Sequence, residues 1–129
     1  MLLYESNYLK LVGLTGDLEQ QASRWISRVR GDGDLHLERV LAEPYTTTYR
    51  MTYWLRDANG VELRDPDLTV RVYRDAAQAE ALACLSWQSS RAMREIKLSH
   101  SAELSRRWSR NIMLNKWLDY LLERGHGFS

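Results

Sequence analysis

Leu68–Ala83 reads LTVRVYRDAAQAEALA, and it restricts the possible folds more than any other stretch of the chain. Leu68, Val70 and Val72 fall on one side, with Thr69, Arg71 and Tyr73 on the other. That two-residue period belongs to a strand with one buried face. Such a strand needs neighbours in a sheet and a second layer over its apolar side. Beyond Arg74-Asp75 the chain turns alanine-rich, with Glu80 as an isolated acid. Two readings compete there. Asp75 followed by Gln78 has the form of a capping box, and Ala76–Leu85 has high helix propensity. A strand returning against 68–74 is the alternative.

The flanking segments supply the neighbours and the covering layer. Leu2–Leu14 has Tyr4, Tyr8, Leu11 and Val12 at helical spacing, with Gly13 and Gly16 near its end. Residues 18–29 fit a helix through Leu18, Ala22, Trp25, Ile26 and Val29, or a strand through Trp25, Ser27 and Val29. Gly31-Asp32-Gly33-Asp34 forces a turn into 35–41, where Leu35, Leu37, Arg39 and Leu41 alternate with His36, Glu38 and Val40. A turn that short favours a hairpin of strands near 24–30 and 35–41. Tyr45–Arg56 is a further strand, with Tyr49, Met51, Tyr53 and Leu55 opposed to Thr48, Arg50, Thr52 and Trp54. Asn59-Gly60 marks a tight turn, after which Val61–Leu63 pairs back briefly before Asp65-Pro66 ends it. Ser86–Ser101 is polar and basic, anchored by Trp87, Met93, Ile96 and Leu98. Glu103–Glu123 is a long helix with Leu104, Trp108, Ile112, Leu114, Trp117, Leu118, Leu121 and Leu122 facing inward, stopped by Gly125.

The expected fold is therefore α+β: an antiparallel sheet of four to five strands packed against an N-terminal helix and a long C-terminal helix. The 129 residues suit one domain spanning 1–129, with 44% hydrophobic and 27% charged residues as in ordinary globular chains. One cysteine, Cys84, excludes an internal disulfide, and no Cys/His spacing points to zinc. Without a basic leader followed by an apolar run, or a stretch long enough to span a bilayer, the expected location is cytoplasmic. Residues 91–129 carry net +4 and residues 1–90 net −3, a split that fits either a solvated helix face or attraction of an acidic partner.

Three segments together resemble the YqiB-like family of uncharacterised proteobacterial proteins. They are Tyr45-Thr46-Thr47-Thr48, then Leu68 to Ala76 with Ala79-Glu80, and the helix pattern Asn111, Leu114, Trp117-Leu118, Leu122 and Gly125. They span about residues 45–125 in the family's order. The resemblance implies a small, soluble, single-domain protein, often encoded beside enzymes of nucleotide hydrolysis, and brings no activity or cofactor with it. It also implies β-branched residues after Asp75, which favours a returning strand over 76–85. The chain departs from the family where Arg74 replaces a usual His, and where Ser105-Arg106-Arg107 replaces an acidic, lysine-containing segment. A site built on those groups in relatives is lost or rebuilt here.

The densest polar constellation is Arg50 and Thr52 on one strand, Arg71 and Tyr73 on the next, then Asp75 and Glu80. Guanidinium groups suit bidentate capture of carboxylate or phosphate, so the expected role is a non-catalytic binding or regulatory module for a protein partner or small anionic ligand. The same residues also fit simple cross-strand pairing on a wet sheet face. No elbow serine, phosphate-cradling glycine loop or metal-ligand spacing is present, and His36, His100 and His126 lie in unrelated parts of the chain. Asp32 and Asp34 are explained by turn chemistry, since the later ligands of a calcium loop are missing. No enzymatic activity, metal or cofactor is expected. The alternative is nucleic-acid binding through Arg106, Arg107, Arg110 and Trp108 at the start of the long helix. A pI near 7.9 is low for that class, where values above about 9 are usual.

Overall fold

The computed structural model describes residues 2–16, 22–56, 58–86 and 103–128. The elements are α1 (Leu3–Thr15), β1 (Arg24–Arg28), β2 (Asp34–Ala42), β3 (Thr46–Arg56), β4 (Glu62–Tyr73), β5 (Gln78–Ser86) and α2 (Glu103–Glu123). The strands form one antiparallel meander in the order β1-β2-β3-β4-β5. Both helices lie on one side, and the fold is α+β with an antiparallel sheet as the patterning implies. Trp87, Met93, Ile96 and Leu98 lie outside the described residues.

Alternation sorts the two sheet faces. Leu35 and Leu37, Met51 and Tyr53, Leu68, Val70 and Val72, and Ala79 and Ala81 point toward the helices and are buried. Leu11 and Leu14 from α1 and Met113, Leu114, Trp117, Leu118 and Leu121 from α2 close over them. Each large side chain so buried contributes about 1.5–3 kcal/mol. Residues 78–86 are a strand despite their helix propensity, because Ala79 and Ala81 have ladder partners in Val72 and Val70. Tertiary pairing outweighs intrinsic preference there.

The structure corrects the expected pattern at four places. Leu41 is exposed, because a bulge between Arg39 and Leu41 shifts the register and turns later residues over. Val12 on α1 is exposed too, and Leu14 takes the core position. Val61–Leu63 is no brief return: β4 starts at Glu62 and runs through the cis Asp65–Pro66 bond. Pro66 falls in the register shift between Thr52 and Trp54 and precedes the first β5 pairing at Asp67, so its missing N–H costs no ladder bond. Finally, Trp108 is 50% exposed, with Met113 buried instead.

The far edge of β5 is capped by side chains at Ala79 and Ala81. Asn111 Oδ1 accepts the Ala81 N–H at 2.8 Å, and Asn7 Nδ2 donates to the Ala79 carbonyl at 3.4 Å. Both asparagines are fully buried and bond to each other. Asn115 continues the seam, donating to Asn7 Oδ1 at 3.0 Å and Ser6 Oγ at 2.9 Å while accepting Lys10 Nζ at 2.8 Å. Two helices thus occupy the place of a sixth strand. Leaving the Ala81 N–H buried and unpaired costs about 1–3 kcal/mol. Asn111→Ala is therefore expected to lower unfolding stability by that amount in urea denaturation, and an unchanged midpoint would refute the cap.

Candidate functional site

The outer face of the sheet, turned away from both helices, carries the polar strand residues. Register places Arg50 opposite Thr69, Thr48 opposite Arg71, and Arg71 opposite Glu80. Arg50, Thr52, Arg71, Tyr73 and Glu80 thus share one face, as the alternation implies, and divide into two clusters. Asp75 stands apart, exposed in the β4–β5 turn.

In the first cluster Arg50 grips Asp67 through two bonds, Nε to Oδ1 at 3.0 Å and Nη2 to Oδ2 at 2.6 Å. Thr52 Oγ1 adds a bond to Oδ1 at 3.3 Å. In the second, Tyr73 donates to Glu80 Oε1, and Arg107 of α2 reaches Glu80 Oε2 at 2.8 Å. Burial raises the Glu80 carboxyl, but the Tyr73 and Arg107 bonds more than reverse this and hold it below its ordinary value. Arg107 is thereby committed to Glu80, and Arg110 Nε is buried without a hydrogen-bond partner.

Beside the first cluster, Arg24, Trp25, Ile26, His36, Leu37, Glu38, Arg50, Thr52, Trp54 and Arg64 line a groove of about 470 Å³. Trp54 stands between two neighbours. The His36 ring stacks on it at 4.3 Å, and the Arg64 guanidinium lies 4.3 Å from its centroid. Burial pushes the His36 imidazole below its usual value; Arg28 and Arg64 add to the effect, while Asp34 and Glu62 oppose it. A neutral ring packs there without a charge to desolvate.

A second polar centre was illegible in the sequence. Asp32, at the β1–β2 turn, accepts bonds from the Tyr53 hydroxyl, the Gly33 N–H at 2.9 Å, Tyr120 at 3.3 Å and Arg124 Nε at 3.4 Å. His126 Nε2 lies 3.2 Å from Asp32 Oδ2, and its Nδ1 lies 2.9 Å from Ser27 Oγ. Gly33 is obligatory at this turn, since a Cβ there would lie 2.7 Å from the Trp54 carbonyl oxygen. Ser27, His126 and Asp32 have the connectivity of a nucleophile, base and orienting carboxylate. Ser27 Oγ, however, is buried, also accepts the Gly127 N–H at 3.0 Å, and does not line the groove beside Trp54. The arrangement clasps residues 126–128 to the first hairpin. Phe128 completes it, buried and donating its N–H to the Leu14 carbonyl at 2.7 Å. Only the turn role of Asp32 is readable locally, because Tyr53 lies 21 positions away and Tyr120, Arg124 and His126 lie 88 to 94 away.

Among the described residues, no group of three or more His, Cys, Asp or Glu could hold a metal ion, and no helix is long and apolar enough to cross a membrane.

The clasp has a measurable pH signature. Burial raises the Asp32 carboxyl, but Tyr53, Gly33, His126 and Arg124 overcome it and bring the pKa from 3.8 to about 2. A carboxyl whose pKa is depressed on folding adds stability above its unfolded value and loses it as pH falls through the folded one. The contribution, about 2 kcal/mol, is expected to be complete above pH ~5 and to vanish between pH ~4 and ~2. Asp32→Asn should be less stable at neutral pH and show a flatter acid profile by denaturation. An unchanged acid slope would remove Asp32 from this role.

No curated protein and no solved structure matches this chain. The family model that does match covers residues 10–127, from within α1 through the clasp residues after α2. The chain belongs to the family described as "Protein of unknown function (DUF1249)".

Proposed function

We propose that the protein is a non-catalytic binding module that takes a small anionic ligand, a carboxylate or phosphate, in the outer-face groove. The observation that carries this reading is the lining itself: Arg24, Arg50 and Arg64 converge on the groove with Glu38 as its single carboxylate. Its size falls within the range of ~300–1,000 Å³ common for small-molecule sites. Asp67 fixes one edge of the Arg50 guanidinium, so a ligand meets an oriented cation, not a mobile one. Arg64 contacts Trp54 through its ring face and makes no carboxylate bond among the described residues. The Trp54 ring is already engaged by His36 and Arg64, which favours anion capture by guanidinium over stacking of a ligand's flat ring. The YqiB-like resemblance in residues 45–48, 68–76 with 79–80, and 111–125 supports a small, soluble, single-domain bacterial protein.

A thermal-shift series with phosphate, sugar phosphates and small dicarboxylates tests the reading. A ligand at ~100 times its Kd adds about 2.7 kcal/mol, several degrees of Tm in a domain of this size. Arg64→Ala is expected to abolish the shift. A flat series, or a shift that survives Arg64→Ala, overturns the groove as the anion site.

A further inference from the structure

The two edges of the sheet differ. The β5 edge is capped at Ala79 and Ala81 by Asn7 and Asn111, whereas β1 pairs only with β2 among the described residues. The Arg39 N–H bonds to the Ser23 carbonyl at 2.8 Å, so Ser23 and, by alternation, Trp25 and Ser27 direct their backbone groups toward β2. The N–H and C=O groups of Arg24, Ile26 and Arg28 therefore point away from the sheet. Their side chains stand on the outer face and are exposed, Arg24 at 78%, Ile26 at 46% and Arg28 at 68%.

We propose that this edge is a docking strand for an extended acidic segment of a partner protein, which adds to the sheet beside β1. An incoming antiparallel strand would place three side chains directly beside Arg24, Ile26 and Arg28. The complementary pattern is an acid, an apolar residue and an acid at alternate positions. Main-chain bonds supply affinity in this mode and alternate side chains supply specificity. The existing pairs Arg24–Glu38 at 3.8 Å and Arg28–Asp34 at 3.4 Å are long and solvent-exposed, of a kind that contributes little, so both guanidiniums can turn to a new carboxylate.

A second copy of this chain is the competing occupant, and charge argues against it. Antiparallel pairing of β1 with itself about Ile26 sets Arg24 against Arg28 of the second copy at two places, and like charges directly opposite are destabilising. The edge is thus shielded from itself while open to an acidic strand. It is also held ready, because Ser27 is tied to His126 and Gly127 from the inner side and the hairpin turn is fixed through Asp32. Less ordering is then required on binding.

The test uses a labelled peptide, Thr-Glu-Thr-Val-Thr-Glu-Thr, titrated by fluorescence anisotropy, with its lysine counterpart in place of both glutamates. The acidic peptide is expected to bind, with affinity falling as salt rises, and to slow amide hydrogen exchange at Arg24, Ile26 and Arg28. The Arg28→Glu protein, altered at an exposed position that does not line the anion groove and checked for an unchanged urea midpoint, should lose at least tenfold for the acidic peptide and gain affinity for the lysine one. If that variant has a lowered midpoint, Arg28→Gln replaces it and should lose the acidic peptide alone. Absence of binding up to ~1 mM overturns the proposal, as does binding indifferent to the charge change. So does a concentration-dependent dimer protected at the same three amides, which would assign the edge to a second copy.

Discussion

Asn111 takes the Ala81 N–H at 2.8 Å while Asn7 supplies a donor to the Ala79 carbonyl, and the remaining architecture follows from that pairing. A five-stranded meander with one apolar face needs a cover, and two helices lying across it leave one strand edge buried under them. Buried backbone groups must be paired. The two asparagines do this and at the same time set the depth and rotation of both helices. The leucines of α1 and α2 then meet the sheet side chains at the required height. Shifting either helix by one residue would turn its side chains by about 100° and break the amide seam together with the leucine packing.

The strands were readable because alternation is local. Leu68, Val70 and Val72 mark a buried face, and a strand returning over 78–86 pairs Arg71 with Glu80. Breaks in that regularity were not readable: a bulge at Arg39–Leu41 and another around Pro66 are settled by the neighbouring strand, not by the residues themselves. Trp108 shows the same limit. Its spacing fits the core stripe of α2, yet that helix end meets the β5 edge, where Asn111 and Ser109 occupy the buried positions.

The polar residues divide along similar lines. Arg50 and Thr52 could be placed on the outer face from sequence, but their shared partner Asp67 follows Pro66, where the expected strand had already ended. The sequence position of His36 connects it to no other histidine, yet its stack on Trp54 spans adjacent strands, each with a clear period. The clasp around Asp32 was inaccessible in principle. Turn chemistry accounts for its local bond to Gly33, and nothing near it signals Tyr120, Arg124 or His126.

The asparagine seam also has a consequence in time. Each hairpin of the meander joins neighbours in the chain, and contacts of that sort form early because little loop entropy opposes them. Asn7 and Asn111, by contrast, are 104 positions apart. At a synthesis rate of roughly 5–20 residues per second, α1 waits on the order of 5–20 s for the helix it pairs with. Only the last part of that interval, the roughly 1–5 s between the end of β5 and Asn111, finds the sheet complete while the outer edge of β5 still displays its amide and carbonyl groups. The nascent chain is thus most prone to mispairing after its sheet is complete, and α2 is the element that ends this vulnerability.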